Sequence, residues 1–133
     1  MTEPVMTADD KQKPLLAIIE LGGYPDFRPV YERAGYLPQV VMSVRKAMAE
    51  IRHAAPAAVV CEFNFQSDFR DRTSTLESLL AAISHQPETR VIVFYDREHA
   101  HHLERLKARF PLHAVLPYPI DVVELERVLS IGQ

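Results

Sequence analysis

Two carboxylates and two phenols stand where apolar runs stop. Glu20 falls near the end of Leu15–Leu21 (Leu-Leu-Ala-Ile-Ile-Glu-Leu), and Glu62 near the end of Ala57–Phe63. Tyr95 closes Val91–Tyr95, and Tyr118 follows Ala114–Leu116. A carboxylate acts as a nucleophile only when it is positioned with partners that clamp the developing charge. A buried phenol seeks a hydrogen-bond partner. Three histidines, His99, His101 and His102, lie close together. His99 and His102 share a helix face, but no Cys or carboxylate stands at a convincing ligand spacing. We assign them to a solvated polar face and expect no metal. Cys61 sits inside an apolar run with no His base near it, which points to packing rather than catalysis. Gly22-Gly23 lacks the further glycine and the helix cap of a dinucleotide-binding turn.

These residues are positioned by a regular alternation of elements. Leu15–Leu21 follows Pro14 and stops at Gly22, so it is predicted as a buried strand. Asp26–Ala34 is a short helix ended by Gly35, with Pro29 near its start. Residues 35–41 form a second strand. Ser43 caps a helix to His53, whose Val44, Ala47, Met48 and Ile51 form one stripe. Ala57–Phe63 is a third strand, and the polar residues 64–72 are expected to be a loop. Ser74 and Glu77 resemble a capping box opening a helix with Leu76, Leu79, Leu80 and Ile83 on one face. Val91–Tyr95 is a fourth strand, and Asp96 caps a helix over about residues 97–109. Ala114–Leu116 is a fifth strand. Asp121 and Glu124 mark a last helix, with Val122, Leu125, Val128 and Leu129 expected to point inward.

Strands that are apolar on both faces imply a parallel sheet covered on both sides. Its crossovers are right-handed helices. The expected fold is α/β, a three-layer doubly wound five-stranded parallel sheet of the flavodoxin-like or receiver-like kind. In such a sheet, ligands and switches sit at the carboxyl ends of the strands. Glu20, Glu62, Tyr95 and Tyr118 all fall there.

The 133 residues suit one domain. Residues 1–13 are polar and aperiodic and are expected to form a flexible leader, with the domain spanning 14–133. The net charge of −3 offers no electrostatic footprint for nucleic acid. No apolar stretch approaches the roughly 20 residues of a membrane span. The single cysteine excludes an intrachain disulfide and suits a cytoplasmic location.

Several segments resemble the receiver domain of bacterial two-component response regulators (CheY-like). Gly35-Tyr36 matches the Gly-Tyr before the family's second strand. Pro56-Ala57-Ala58-Val59-Val60-Cys61-Glu62 matches its Pro-Asp-Leu-Val-Leu-Leu-Asp. Arg90–Tyr95 matches the strand that normally ends in Thr or Ser, and Ala114–Ile120 the strand that normally ends in Lys-Pro. The resemblance covers about Leu15–Leu129. It implies the pocket positions and also their loss. Glu20 and Leu21 stand where the family has an acidic pair for magnesium. Glu62 replaces the phosphoacceptor Asp, Tyr95 the hydroxyl residue and Tyr118 the lysine.

The resemblance also sets expectations for this pocket. Glu20 and Glu62 would face one another, and without a cation their joint ionisation is disfavoured. Tyr95 and Tyr118 would form a hydrogen-bonded pair sealing the pocket. Glu62 is either a relic polar residue or a fixed mimic of a phosphorylated Asp, with one charge where a phosphoryl group brings roughly −1.5 to −2.

The expected function is a pseudo-receiver that contacts proteins without phosphorylation. It would need no cofactor and would not be an enzyme. Its partner would be a kinase, regulator or scaffold, or a second copy in a homodimer. The contact face would use the fourth helix, fifth strand and fifth helix, including Glu104, Arg105 and Tyr118. The alternative is a flavodoxin-like domain binding a small ligand or nucleotide at the strand ends.

Overall fold

The structure, a computed structural model, describes residues 13–20, 25–63, 70–86 and 88–130, with the side chains of 70–75 outside the description. The elements run β1 (Lys13–Ile18), α1 (Arg28–Arg33), β2 (Tyr36–Val41), α2 (Val44–His53), β3 (Ala58–Phe63), α3 (Arg70–Ile83), β4 (Arg90–Tyr95), α4 (Ala100–Arg109), β5 (Ala114–Pro117) and α5 (Val122–Ser130). A 3₁₀ turn, Arg97–His99, leads into α4. The five strands pair in parallel in the order β2-β1-β3-β4-β5. The doubly wound sheet expected from the sequence is therefore present.

Strand alternation divides the core into two layers. Leu16, Ile18, Val59, Cys61, Phe63, Val91 and Val93 point to one face, packed by Ile51 of α2, Leu79 of α3 and Leu103 of α4. Leu15, Ala17, Ala58, Val60, Ile92 and Phe94 point to the other, packed by Tyr31 of α1 and Leu125 and Leu129 of α5. Among the described residues, no helix is long and apolar enough to cross a membrane.

Several boundaries move. β1 starts at Lys13 and ends at Ile18, so the strand takes one residue from the expected leader and stops short of Glu20. Pairing explains this: Lys13 opposes Tyr36 and Ile18 opposes Val41, so the ladder is as long as its edge partner. Residues 1–12, the rest of that leader, lie outside the described residues.

The expected capping box at Ser74 is corrected. α3 already begins at Arg70, which places Ser74 inside the helix. Of residues 64–72, expected to be a loop, 70–72 belong to this helix, where arginine is a good helix former, and 64–69 lie outside the described residues. Other caps hold. Ser43 accepts the Lys46 N–H at 3.2 Å, and Asp121 accepts the Val123 N–H at 2.9 Å. Gly35 has φ 95°, the left-handed position that glycine takes after a helix. Val122, expected inward, is 37% exposed, and Val123 is 76% exposed. Both lie in the first turn of α5, before its buried stripe of Leu125, Val128 and Leu129 begins.

Candidate functional site at the carboxyl ends of the strands

Glu62 is the next-to-last residue of β3 and one of only two buried polar side chains among the described residues, at 5% exposure. Alternation puts it on the face of Ala58 and Val60, toward α1 and α5. Phe94 is its register partner on β4. The Phe94 ring meets Phe27 edge-on at 6.0 Å and Tyr118 at 6.3 Å. A carboxylate is thus set against a row of aromatic rings, a packing worth about 0.5–1.5 kcal/mol per ring pair beyond burial.

Glu20 meets Glu62 in a different way from the expected one. Its side chain lies at an exposed position, and its main-chain N–H donates to Glu62 Oε1 at 3.2 Å. Two facing carboxylates are therefore replaced by one carboxylate and one amide. The reason is the early end of β1, which leaves Glu20 on the turn beyond the strand. Leu21 and Gly22-Gly23 lie outside the described residues.

The expected pairing of the Tyr95 and Tyr118 hydroxyls is also corrected. The two residues are joined through the main chain, the Tyr118 N–H donating to the Tyr95 carbonyl at 2.9 Å. Their rings part. Tyr95 packs against the layer of Cys61 and Val93, and Tyr118 against that of Phe94 and Leu116. Tyr95 follows Phe94 on one strand, so period-2 alternation sends it to the opposite face. The Tyr118–Pro119 peptide bond is cis.

The electrostatics follow from this packing. Burial first, then the charge of Glu62, holds the Tyr118 phenol well above its ordinary range. Tyr31 is raised in the same way, by burial, then Asp26 and Glu62. Burial, with Glu62 and Glu20 adding to it, pushes the Cys61 thiol up to about 12, so it is no nucleophile at neutral pH. The site joins a buried carboxylate to neutral phenols. Such a set can hold hydrogen bonds and exclude water, but it brings no cation. Sequence reasoning missed Phe27, Tyr31 and Phe94; the signal for Phe94 was its place opposite Glu62 on an apolar strand.

The histidines form a ring cluster, with His101 and His102 centroids 4.0 Å apart and His99 and His102 6.3 Å apart. Among the described residues, no group of three His, Cys, Asp or Glu is arranged to hold a metal. Glu104 pairs with Lys107 within α4, and Arg105 lies exposed beside them.

The sequence matches no family model and no curated protein. Its fold is similar to that of several solved structures. A response regulator receiver domain (CheY-like) from Methylobacillus flagellatus superposes with a TM-score of 0.68 at 18% identity, covering 90% of this chain and 97% of that one. A sensor protein from Polaromonas sp. JS666 gives 0.65 at 22% identity, covering 87% and 92%. The pilus assembly protein CpaE from Caulobacter crescentus gives 0.63 at 16% identity, covering 90% and 92%. With its strand order, two-sided helical cover and strand-end carboxylate, the chain has the CheY-like fold of response-regulator receiver domains.

Proposed function

We propose that this chain is a pseudo-receiver of bacterial two-component-type signalling, acting in the cytoplasm by protein–protein contact without Asp phosphorylation. The observation that carries this reading is the state of Glu62. It stands at the position matching the phosphoacceptor, is 5% exposed, and accepts the Glu20 N–H. Aspartyl phosphoryl transfer needs a carboxylate open to the donor and cations to clamp the transferring group. Burial opposes the first requirement. Tyr118, at the lysine position, is a phenol held neutral beside Phe94 and does not meet the second. Leu21, at the second acidic position, has no side-chain oxygen to offer magnesium.

The docking face is made by α4, β5 and the start of α5, with Glu104, Arg105 and Tyr118 on it. Val122 and Val123 add exposed apolar surface there. Its partner is a kinase, regulator or scaffold, or a second copy of the chain. No catalytic step or cofactor is required. The amide NMR spectrum should stay unchanged when beryllofluoride and magnesium, which together mimic a phosphoryl group, are added. Saturable shifts around Glu62 and Tyr118 would overturn the reading.

A further inference from the structure

β2 is an edge strand. Among the described residues it pairs with β1 alone. The hydrogen bonds of that ladder fix which of its main-chain groups are used. The Lys13 N–H donates to the Gly35 carbonyl at 3.2 Å, and the Ile19 N–H to the Val41 carbonyl at 2.9 Å. With Lys13 opposite Tyr36 and Ala17 opposite Val40, the odd-numbered residues of β2 are the ones that bond β1. Tyr36, Pro38 and Val40 therefore turn their main-chain groups outward, away from the sheet.

This edge would suit a neighbouring strand in every respect but one. Residues 36–42, Tyr-Leu-Pro-Gln-Val-Val-Met, carry no charge. Leu37 is 57% exposed and Met42 63% exposed. A long, apolar, uncharged edge is a template for pairing with another chain. Two copies could meet here about a two-fold axis. With residue 38 on that axis, Tyr36 of one copy lies opposite Val40 of the other. In antiparallel pairing these outward residues are the ones that exchange both N–H···O bonds. Pro38 is the exception. It has no N–H, and its ring fills the space that a carbonyl of the other strand would enter. It stands at the centre of the pairing, where two donors would be missing at once. Toward β1 it removes no bond, because its nitrogen faces outward. The opposite edge is built differently. β5 has only four residues, and the N–H absent at Pro117 is on the β4 side, where the Tyr118 N–H reaches the Tyr95 carbonyl instead.

We propose that the outer edge of β2 is a self-pairing surface that Pro38 holds closed, and that a second copy of this chain is the partner it keeps off. The proposal follows from strand geometry and is independent of phosphorylation and of the α4–β5–α5 face.

The test is sedimentation velocity on the full chain, with Pro38→Val beside the parent at equal concentrations. Pro38→Val should associate one step further than the parent, doubling the sedimenting mass. Amide exchange at Tyr36 and Val40 should be fast in the parent and slowed in the variant. Adding Leu37→Lys and Gln39→Lys should restore the parent's mass. The two-fold pairing sets residue 37 opposite 39, and like charges directly opposite one another repel. Both positions are exposed, so the lysines leave the core untouched. Pro38→Thr repeats the test with a second residue of high strand propensity. An unchanged mass in both Pro38 variants would overturn the proposal. So would association that the lysines do not reverse, which would put the contact on another surface. Loss of the parent's circular dichroism in both variants would overturn it too, since Pro38 would then serve the fold itself.

Discussion

The main-chain N–H of Glu20 donates to the buried carboxylate of Glu62 at 3.2 Å, tying the end of β1 to the end of β3. This bond crosses 42 residues of chain and gives Glu62 a structural task. Glu62→Gln keeps an oxygen acceptor in place and is expected to change stability by less than about 1 kcal/mol. Glu62→Ala removes the acceptor and opens a void, with an expected loss of about 1–3 kcal/mol. Urea unfolding of both variants checks this. Equal effects would show that the acceptor oxygen does not matter.

Alkaline pH should destabilise the protein through Tyr31 and Tyr118. Both phenols have folded pKa values raised by burial. The folded state holds these protons more tightly than the unfolded chain does. Their contribution is complete below the ordinary phenol range and is lost as pH rises through it toward the folded values. Tyr31→Phe and Tyr118→Phe should each flatten the fall in melting temperature above pH about 10. An unchanged slope in both would contradict the burial described for them.

Acid acts through His102. Its folded pKa is lowered, by desolvation first and then by His101, Arg105 and His99. For a base with a lowered pKa, the contribution is present above the unfolded value and is lost as pH falls through that value toward the folded one. Replacing His102 with Gln should reduce the loss of stability on acidification below about pH 6.5. The His102 ring proton should titrate by NMR below that of a free histidine. A normal midpoint would remove the basis for this expectation.

The C-terminal end of α5 is held from two sides. The Tyr36 hydroxyl donates to the Leu129 carbonyl at 3.3 Å, and His113 Nε2 lies 3.0 Å from the Val128 carbonyl. Carbonyls in a last helical turn lack partners within the helix. Tyr36→Phe should cost about 0.5–1.5 kcal/mol, read by urea unfolding. Hydrogen exchange in α5 should rise more than in α2. A uniform rise would mean that the bond does not hold the helix locally.

The layered fold was legible because each strand is a continuous apolar run and each helix carries a 3.6-residue stripe. The stripes of α2 and α5 are clear examples. The start of α3 was not legible, because polar residues in a helix's first turn look like a loop. The site was half legible. The ends of the apolar runs mark Glu62, Tyr95 and Tyr118, but strand parity puts Tyr95 and Tyr118 on opposite faces of the sheet rather than in the one shared pocket expected. The meeting of Glu20 with Glu62 through a main-chain amide could not be read from residue types, since it depends on where β1 stops.

Intact mass spectrometry after incubation with acetyl phosphate and magnesium tests the pseudo-receiver reading most directly. The expected result is an unmodified mass for the parent protein. A stable added phosphoryl group on Glu62 or a neighbouring residue, lost in Glu62→Gln, would contradict it.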